Sequence, residues 1–166
     1  MTEESIEEII NRELHSYDKA TALDFSAFLR DNELSFFRDR GYWRDKIYFW
    51  VQYGTHCVCF IAISDPDEPE NRWTVWSENI DSVYLAENAV DDSLKKIAWE
   101  HVDCGVCGSC GEEKPKTIFG RKFNNVCGTN FRFDNPDKND LEFMKKMVQI
   151  KKRELIEKNE VSNSIS

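Results

Sequence analysis

"KIYFWVQYGTHCVCFIAI", residues 46 to 63, decides the fold. Lys46 to Tyr53 is dense in aromatic and β-branched residues, Gly54-Thr55 interrupts the run, and "HCVCFIAI" after it is apolar on both faces. The stretch predicts a β-hairpin whose second strand lies in the middle of a sheet. On that strand Cys57 and Cys59 alternate to one face, where cysteine packs as a small hydrophobe. "SDPDEPEN", residues 64 to 71, carries two prolines and four acids and reads as a loop, and "WTVWS" at 73 to 77 reads as a third strand.

The flanks on both sides are helical. Ile6, Ile9, Ile10 and Leu14 recur at helical spacing, with Ser5 or Thr2 available as N-cap. "DKATALDFSAFLRDN", residues 18 to 32, repeats the pattern with Asp18 or Thr21 as cap and Leu23, Ala27 and Phe28 on one side. Beyond a poorly patterned stretch, residues 91 to 103 set Leu94, Ile97, Ala98 and His101 on one helical face. "TIFGRKF" and "NNVCGTNFRF" are strand-like. Asn135-Pro136 suits the cap and first turn of a long final helix striped with Leu141, Met144, Val148 and Leu155. Helices, then strands, then a helix predict one α+β domain over residues 1–160, built on an antiparallel sheet with N-terminal helices, a long C-terminal helix and a four-cysteine metal-binding turn, and a flexible tail at 161–166.

The chain has 166 residues and a formal net charge of −9. Residues 1–113 carry 10 Lys and Arg against 24 Asp and Glu, whereas residues 114–158 carry 12 against 6. An acidic protein is a poor partner for phosphate backbones, so nucleic acid is not an expected ligand, and the basic segment reads as a solvated helix face. The longest apolar run, Cys57 to Ile63, falls well short of the roughly 18 to 20 residues of a membrane span, and "MTEESIEEII" lacks the layout of a signal peptide. The expected location is the cytoplasm, where thiols stay reduced and clustered cysteines mean metal or redox work.

Six cysteines sort into two classes by their flanks. Cys104, Cys107, Cys110 and Cys127 are each followed by glycine, using four of the seven glycines in the chain, whereas Cys57 and Cys59 are followed by Val and Phe. Glycine after a ligand lets the backbone turn its N–H groups toward sulfur and stabilise thiolate. The spacing C-x2-C-x2-C-x16-C suits a tetrahedral zinc site of four thiolates, and four protein ligands leave no open position, the mark of a structural site. An iron–sulfur cluster is the alternative, since C-x2-C-x2-C also opens a ferredoxin motif, although the C-x3-C-P ending is missing. A thiol redox pair and a replacement of one thiolate by His101 also stay open. Lys114, Lys116, Arg121 and Lys122 are near enough in sequence to balance the charge.

Three quoted stretches carry a resemblance. "GYWRDKIYFWVQY" through "IAWEHVDCGVCGSC" to "KTIFGRKFNNVCGTNFRFDNPD" resembles a group of small uncharacterised proteins of low-GC Gram-positive bacteria with a CxxCxxC turn, a TIFGKEF-NVC-like segment and an RFDNPD helix start. The likeness covers residues 22 to 158. It implies a shared fold and carries only a loose association with transcription-regulator or effector-binding proteins.

No nucleophile elbow, phosphate loop, dinucleotide fingerprint or zinc-protease motif is present in the sequence. The remaining recognition chemistry is aromatic. Trp43, Tyr48, Trp50, Tyr53, Trp73 and Trp76 lie on or near the three strands and are the candidate walls of a pocket for a cationic or flat small molecule, or for a protein partner. The competing expectation is that these rings are core. The reading is therefore a binding module with a structural zinc, the alternative being a redox protein or enzyme that uses the cysteine cluster.

Overall fold

The computed structural model describes residues 3–88, 90–103 and 113–165, with side chains described up to residue 159. The elements in chain order are α1 (Ile6–Glu13), α2 (Ser16–Asp31), β1 (Ser35–Arg38), β2 (Ile47–Tyr53), β3 (His56–Ile63), β4 (Trp73–Ser77), α3 (Ser82–Glu87), α4 (Asp92–Glu100), β5 (Lys114–Ile118), β6 (Arg121–Val126), β7 (Arg132–Asp134) and α5 (Lys138–Ile165). The fold is α+β. Five strands form a sheet in the order β1-β2-β3-β4-β7, and β5 and β6 form a separate two-stranded sheet. As the hairpin stretch predicted, β2 and β3 pair antiparallel around Gly54-Thr55 and β3 is the central strand. No helix of the described residues is long and apolar enough to cross a membrane.

The chain divides into two compact units, Met1–Val75 with Phe133–Leu141, and Trp76–Arg132 with Glu142–Ser166. In the first unit, Ser5 rather than Thr2 is the N-cap of α1 and forms a capping box with Glu8: Glu8 N–H donates to Ser5 Oγ at 3.2 Å and Ser5 N–H to Glu8 Oε2 at 2.8 Å. Ile6, Ile9 and Ile10 are buried from α1, and Thr21, Ala22, Phe25, Ser26 and Leu29 from α2. Glu7 on α1 and Arg30 on α2 clasp the two helices, with Arg30 Nη2 donating to Glu7 Oε2 at 2.9 Å. α2 begins earlier than its pattern suggested. His15 occupies its N-cap position without a side-chain hydrogen bond, and neither Asp18 nor Thr21 caps it; Thr21 Oγ1 instead donates back to Tyr17 O at 3.0 Å.

The short strand β1 has no alternating signature of its own, and pairing with β2 makes it a strand: Phe36 lies opposite Val51 and Phe37 opposite Trp50. β3 carries a bulge opposite Val51 and Gln52, since Val51 pairs with Cys59 and Gln52 with Cys57. Cys59 is fully buried and Cys57 half-buried.

Asn135-Pro136 does not cap α5. The helix starts at Lys138, and Asp137 and Asp140 cap it reciprocally, Asp140 N–H donating to Asp137 Oδ1 at 2.9 Å and Asp137 N–H to Asp140 Oδ2 at 3.0 Å. Asn135 instead sits at φ +48° and uses its amide as a clamp. Its Oδ1 accepts from Arg72 N–H at 2.7 Å, its Nδ2 donates to Glu70 O at 3.1 Å, and its own N–H donates to Trp73 O at 2.8 Å.

In the second unit, Asp81 caps α3 and Asp91 caps α4 by accepting from Val83 N–H and Leu94 N–H. The segment "TIFGRKF" is not one strand. Phe119 and Gly120, at φ +48° and +87°, make the two-residue turn between β5 and β6. The apolar stripe of α5 departs from expectation too. Phe143, Met144, Met147, Val148 and Ile150 are buried in this unit, with Phe143 edge-on to Phe131 at 5.0 Å between centroids. One turn further on, Lys151 and Glu154 are buried while Leu155 is only half-buried. α5 continues to Ile165, through most of the range read as a tail.

Replacing Asn135 with Ala removes the side-chain acceptor of the Arg72 and Trp73 backbone N–H groups, the first exposed to water and the second partly shielded, and leaves alanine in the left-handed region. The expected cost is about 1 to 2 kcal/mol in urea unfolding. Asn135→Asp, which keeps the acceptor oxygen, is expected to lose less than half of that.

Candidate functional site

Strand pairing brings part of the aromatic set together. Directly opposed residues share a face of an antiparallel sheet, so Phe37, Trp50 and Phe60 form one row across β1, β2 and β3. Trp50 meets Phe60 edge-on with centroids 5.3 Å apart, Tyr48 lies 6.1 Å from Phe60, and Trp43 stacks on Tyr48 at 6.0 Å. Tyr42 continues the chain of rings, edge-on to Trp43 at 4.7 Å. Three members reach solvent: Trp50 is 37% exposed, Phe37 49% and Tyr42 87%. Exposed large aromatics that touch one another form a patch, which is more informative than scattered apolar residues.

One cation already sits on this patch. Lys46 Nζ lies 4.2 Å from the Trp43 ring centroid and is held there by Asp65 at 3.0 Å and Asp67 at 2.8 Å. Burial lowers the Lys46 pKa, but the hydrogen bonds that its ammonium donates to Asp67 and Asp65 outweigh it and hold the group above its usual value. The contact is an ammonium on an indole beside two carboxylates.

The other candidate aromatics lie elsewhere. Trp73 is 1% exposed and its indole N–H is buried with no hydrogen-bond partner among the described residues, so it serves as core volume rather than as a pocket wall. Trp76, in the second unit, lies under the Arg132 guanidinium at 5.0 Å. Tyr53 ends β2 beside the hairpin turn and is half-buried, paired with His56 beyond the bulge. Phe37, Tyr42 and Phe60 were missed in the sequence because β1 has no pattern to reveal it and because a β-ladder partner is invisible without the register.

Cys104, Cys107 and Cys110 lie outside the described residues. Among the described residues no group of three or more His, Cys, Asp and Glu is placed to hold a metal ion. Cys127, the fourth candidate, is a half-buried free thiol on a tight turn closed by Asn130 N–H donating to Cys127 O at 2.9 Å. Its surroundings are highly ordered by hydrogen bonds. Cys127 N–H donates to Asp103 O at 2.7 Å, Asp103 N–H to Asn130 O at 2.7 Å, and Thr129 Oγ1 to Asp103 Oδ2 at 2.9 Å. Val102 and Phe131 form an antiparallel bridge, and Lys114 pairs with Val126. Residues 103 and 114, which flank the CxxCxxC segment in sequence, are thus both bound to residues at or next to Cys127. His101 Nδ1 lies 2.8 Å from Ile97 O, a contact that requires the proton on Nδ1.

Lys116 is held by three neutral acceptors. Its Nζ donates to Asn79 Oδ1 at 3.1 Å, to Asn130 Oδ1 at 3.0 Å and to Ile80 O. Asn130, buried at φ +58°, also accepts Ile80 N–H at 2.8 Å and donates to Cys127 O at 3.2 Å, so one amide links the cysteine turn to residues 79–80 and to β5. Beside it Lys151 Nζ donates to Asn79 O and pairs with Glu154 at 2.7 Å, and Glu154 also takes Lys158 at 2.9 Å and Asp81 N–H at 3.0 Å. Burial pushes the Glu154 carboxyl upward, but Lys151 and Lys158 outweigh it and keep it below its usual value. For Cys59, burial and then the neighbouring Cys57 raise the thiol well above its ordinary value, leaving it unreactive.

Compared with known protein families, curated proteins and solved structures, the chain has no match. The class that the fold defines is an α+β protein with a five-stranded antiparallel sheet, a separate two-stranded hairpin and a long C-terminal helix.

Burial pushes Lys116 down to about 8 from 10.5. Between those values the unfolded chain binds more protons than the folded one, so stability is expected to rise with pH through that window, and the cost of burying the ammonium stands in full below pH 8. Urea midpoints at pH 7.5 and pH 10 check this. Wild type should gain on Lys116→Gln over that interval, and a constant gap between them would show an ordinary lysine.

Proposed function

We propose that this protein is a recognition module without catalytic turnover, which binds a small molecule or a protein partner through the aromatic face of the first unit. The observation that carries the reading is the continuous contact of Tyr42, Trp43, Tyr48, Phe60 and Trp50, with Phe37 opposite Trp50 and three of these rings open to solvent. Its ligand class is flat or cationic. A ring face attracts a cation by about 0.5 to 2 kcal/mol per contact, and the Asp65–Lys46–Asp67 arrangement on Trp43 uses the same chemistry internally. Nucleic acid is not among the proposed partners, because a net charge of −9 opposes a phosphate backbone.

Quaternary ammonium compounds and planar heteroaromatic cations are the first compounds to test. Binding is expected to shift the thermal midpoint and quench tryptophan fluorescence, and Trp50→Ala should weaken it at least tenfold. A broad panel without a shift or quenching, or binding untouched by Trp50→Ala, would remove this face from the proposal.

The same proposal gives Cys104, Cys107, Cys110 and Cys127 one structural zinc. Two things support it: the glycine after each of these cysteines, and the hydrogen-bonded attachment of residues 103 and 114 at or next to Cys127, which shortens the span a shared metal must close. A reducing compartment such as the cytoplasm would keep those thiolates available. Elemental analysis of purified protein is expected to find about one zinc per chain. Cys127→Ser should release the metal and lower stability, and Cys57→Ser should leave metal content unchanged. Iron with sulfide and a brown absorption spectrum would give the site to the iron–sulfur alternative, and a metal-free folded protein would abolish it.

A further inference from the structure

A basic and aromatic recess lies in the second unit, and of its walls only Arg121 was considered above, as one of the cations near the cysteines in sequence. Its walls are Lys96, Trp99 and Glu100 on α4 and Arg121 at the start of β6, around a cavity of about 300 Å³. Positions 96, 99 and 100 are three and four residues apart, so the helix presents all three on one face. The indole is immobilised: Trp99 Nε1 donates to Ile118 O at 2.7 Å, which pins the ring against the β5–β6 hairpin. The guanidinium of Arg121 is likewise set by aromatic contacts, 5.8 Å from the Trp99 centroid and 5.3 Å from that of Phe123.

The charges in this recess are not neutralised by one another. Among the described residues, neither Lys96, Glu100 nor Arg121 forms an ion pair or hydrogen bond, although Lys96 and Glu100 stand four apart on one helix, in the weaker of the two orders for such a pair. Two cations without an anionic partner and an indole therefore line the same recess, the guanidinium resting on aromatic rings and the ammonium exposed. Such an arrangement offers a flat stacking surface, two charge-assisted donors and one anionic acceptor within a volume at the lower limit of small-molecule sites.

We infer that this recess binds a small aromatic anion, its ring stacked on Trp99, its carboxylate or phosphate on Lys96 and Arg121, and an N–H of the ligand donated to Glu100. Both anionic groups satisfy the same donors. Anthranilate and adenosine 5′-monophosphate, each a flat ring with an N–H donor, therefore serve as the two probes.

The test is titration of the full-length protein with each probe, following the Trp99 indole N–H resonance, assigned by its loss in Trp99→Phe. At least one probe is expected to shift that resonance saturably with a Kd below about 1 mM, whereas adenosine without phosphate and inorganic phosphate without a ring bind at least tenfold more weakly. Saturation by anthranilate alone identifies a carboxylate ligand, and by the nucleotide alone a phosphate. Arg121→Ala and Lys96→Ala should each cost tenfold or more, and Arg121→Lys should recover only part, because it keeps the charge and loses the planar fork. Both substitutions are at the surface, and an unchanged amide spectrum elsewhere confirms that the variants are folded. Failure of both probes to saturate, or binding that Arg121→Ala and Lys96→Ala leave intact, overturns the inference.

Discussion

Backbone polar groups outside the ladders need partners, and in each unit one asparagine in the left-handed region supplies them, at a partly exposed position for Asn135 and a buried one for Asn130. Asn135 collects the chain at the entry to β4: its amide holds Glu70 and Arg72, and its backbone holds Trp73. In the second unit, Asn130 does the same for Ile80 and Cys127 while receiving the Lys116 ammonium. Asparagine tolerates positive φ and carries both a donor and an acceptor, so neither aspartate nor glycine could reproduce every contact. Around these two clamps the strands and helices reach their sequence-distant partners.

The two units bury different chemistry. The first has an aliphatic and aromatic interior, with Ile9, Phe25, Leu29, Val51, Ile63 and Trp73 almost wholly removed from water. The second combines an apolar part, where Phe143 meets Phe119 and Phe131, with a polar one containing Lys151, Glu154 and Asn130. Burying charge is costly unless it is paired, and the network around Glu154 meets that requirement by drawing on two lysines and one backbone N–H. Its effect is positional. It fixes residues 79–81 through Asn79 O, Ile80 and Asp81 N–H, and the same segment supports Lys116 on β5.

Aromatic residues are likewise divided by environment and not by type. Phe49 and Trp50 are neighbours in sequence, yet Phe49 is buried on one face with Phe36 edge-on to it, and Trp50 is on the other face with Phe37 and Phe60. The strand's two-residue period separates a buried ring from an exposed one within a single segment. Trp99 shows a third use, its N–H anchored to Ile118 O so that the ring stays fixed under Arg121.

Local periodicity and turn chemistry were enough to locate the β2–β3 hairpin, the central position of β3, the strand at 73–77, the helix α1 and the helix beginning near Asp91, because each is specified by residues within a few positions of one another. The same holds for the glycine-flanked cysteines, which stand out by spacing alone, although three of them lie outside the described residues. What sequence reading could not reach depends on partners far along the chain. β1 exists because Val51 and Trp50 face it, Asn135 is a clamp rather than a cap because Arg72 and Trp73 are beside it, and Leu155 yields its buried position to Lys151 and Glu154 because Asn79 and Asp81 supply their hydrogen bonds. Trp73 and Trp50 are chemically identical in the sequence. Only tertiary structure closes the first into the core and leaves the second open to water, since burial is decided by what packs on a residue and not by the residue itself.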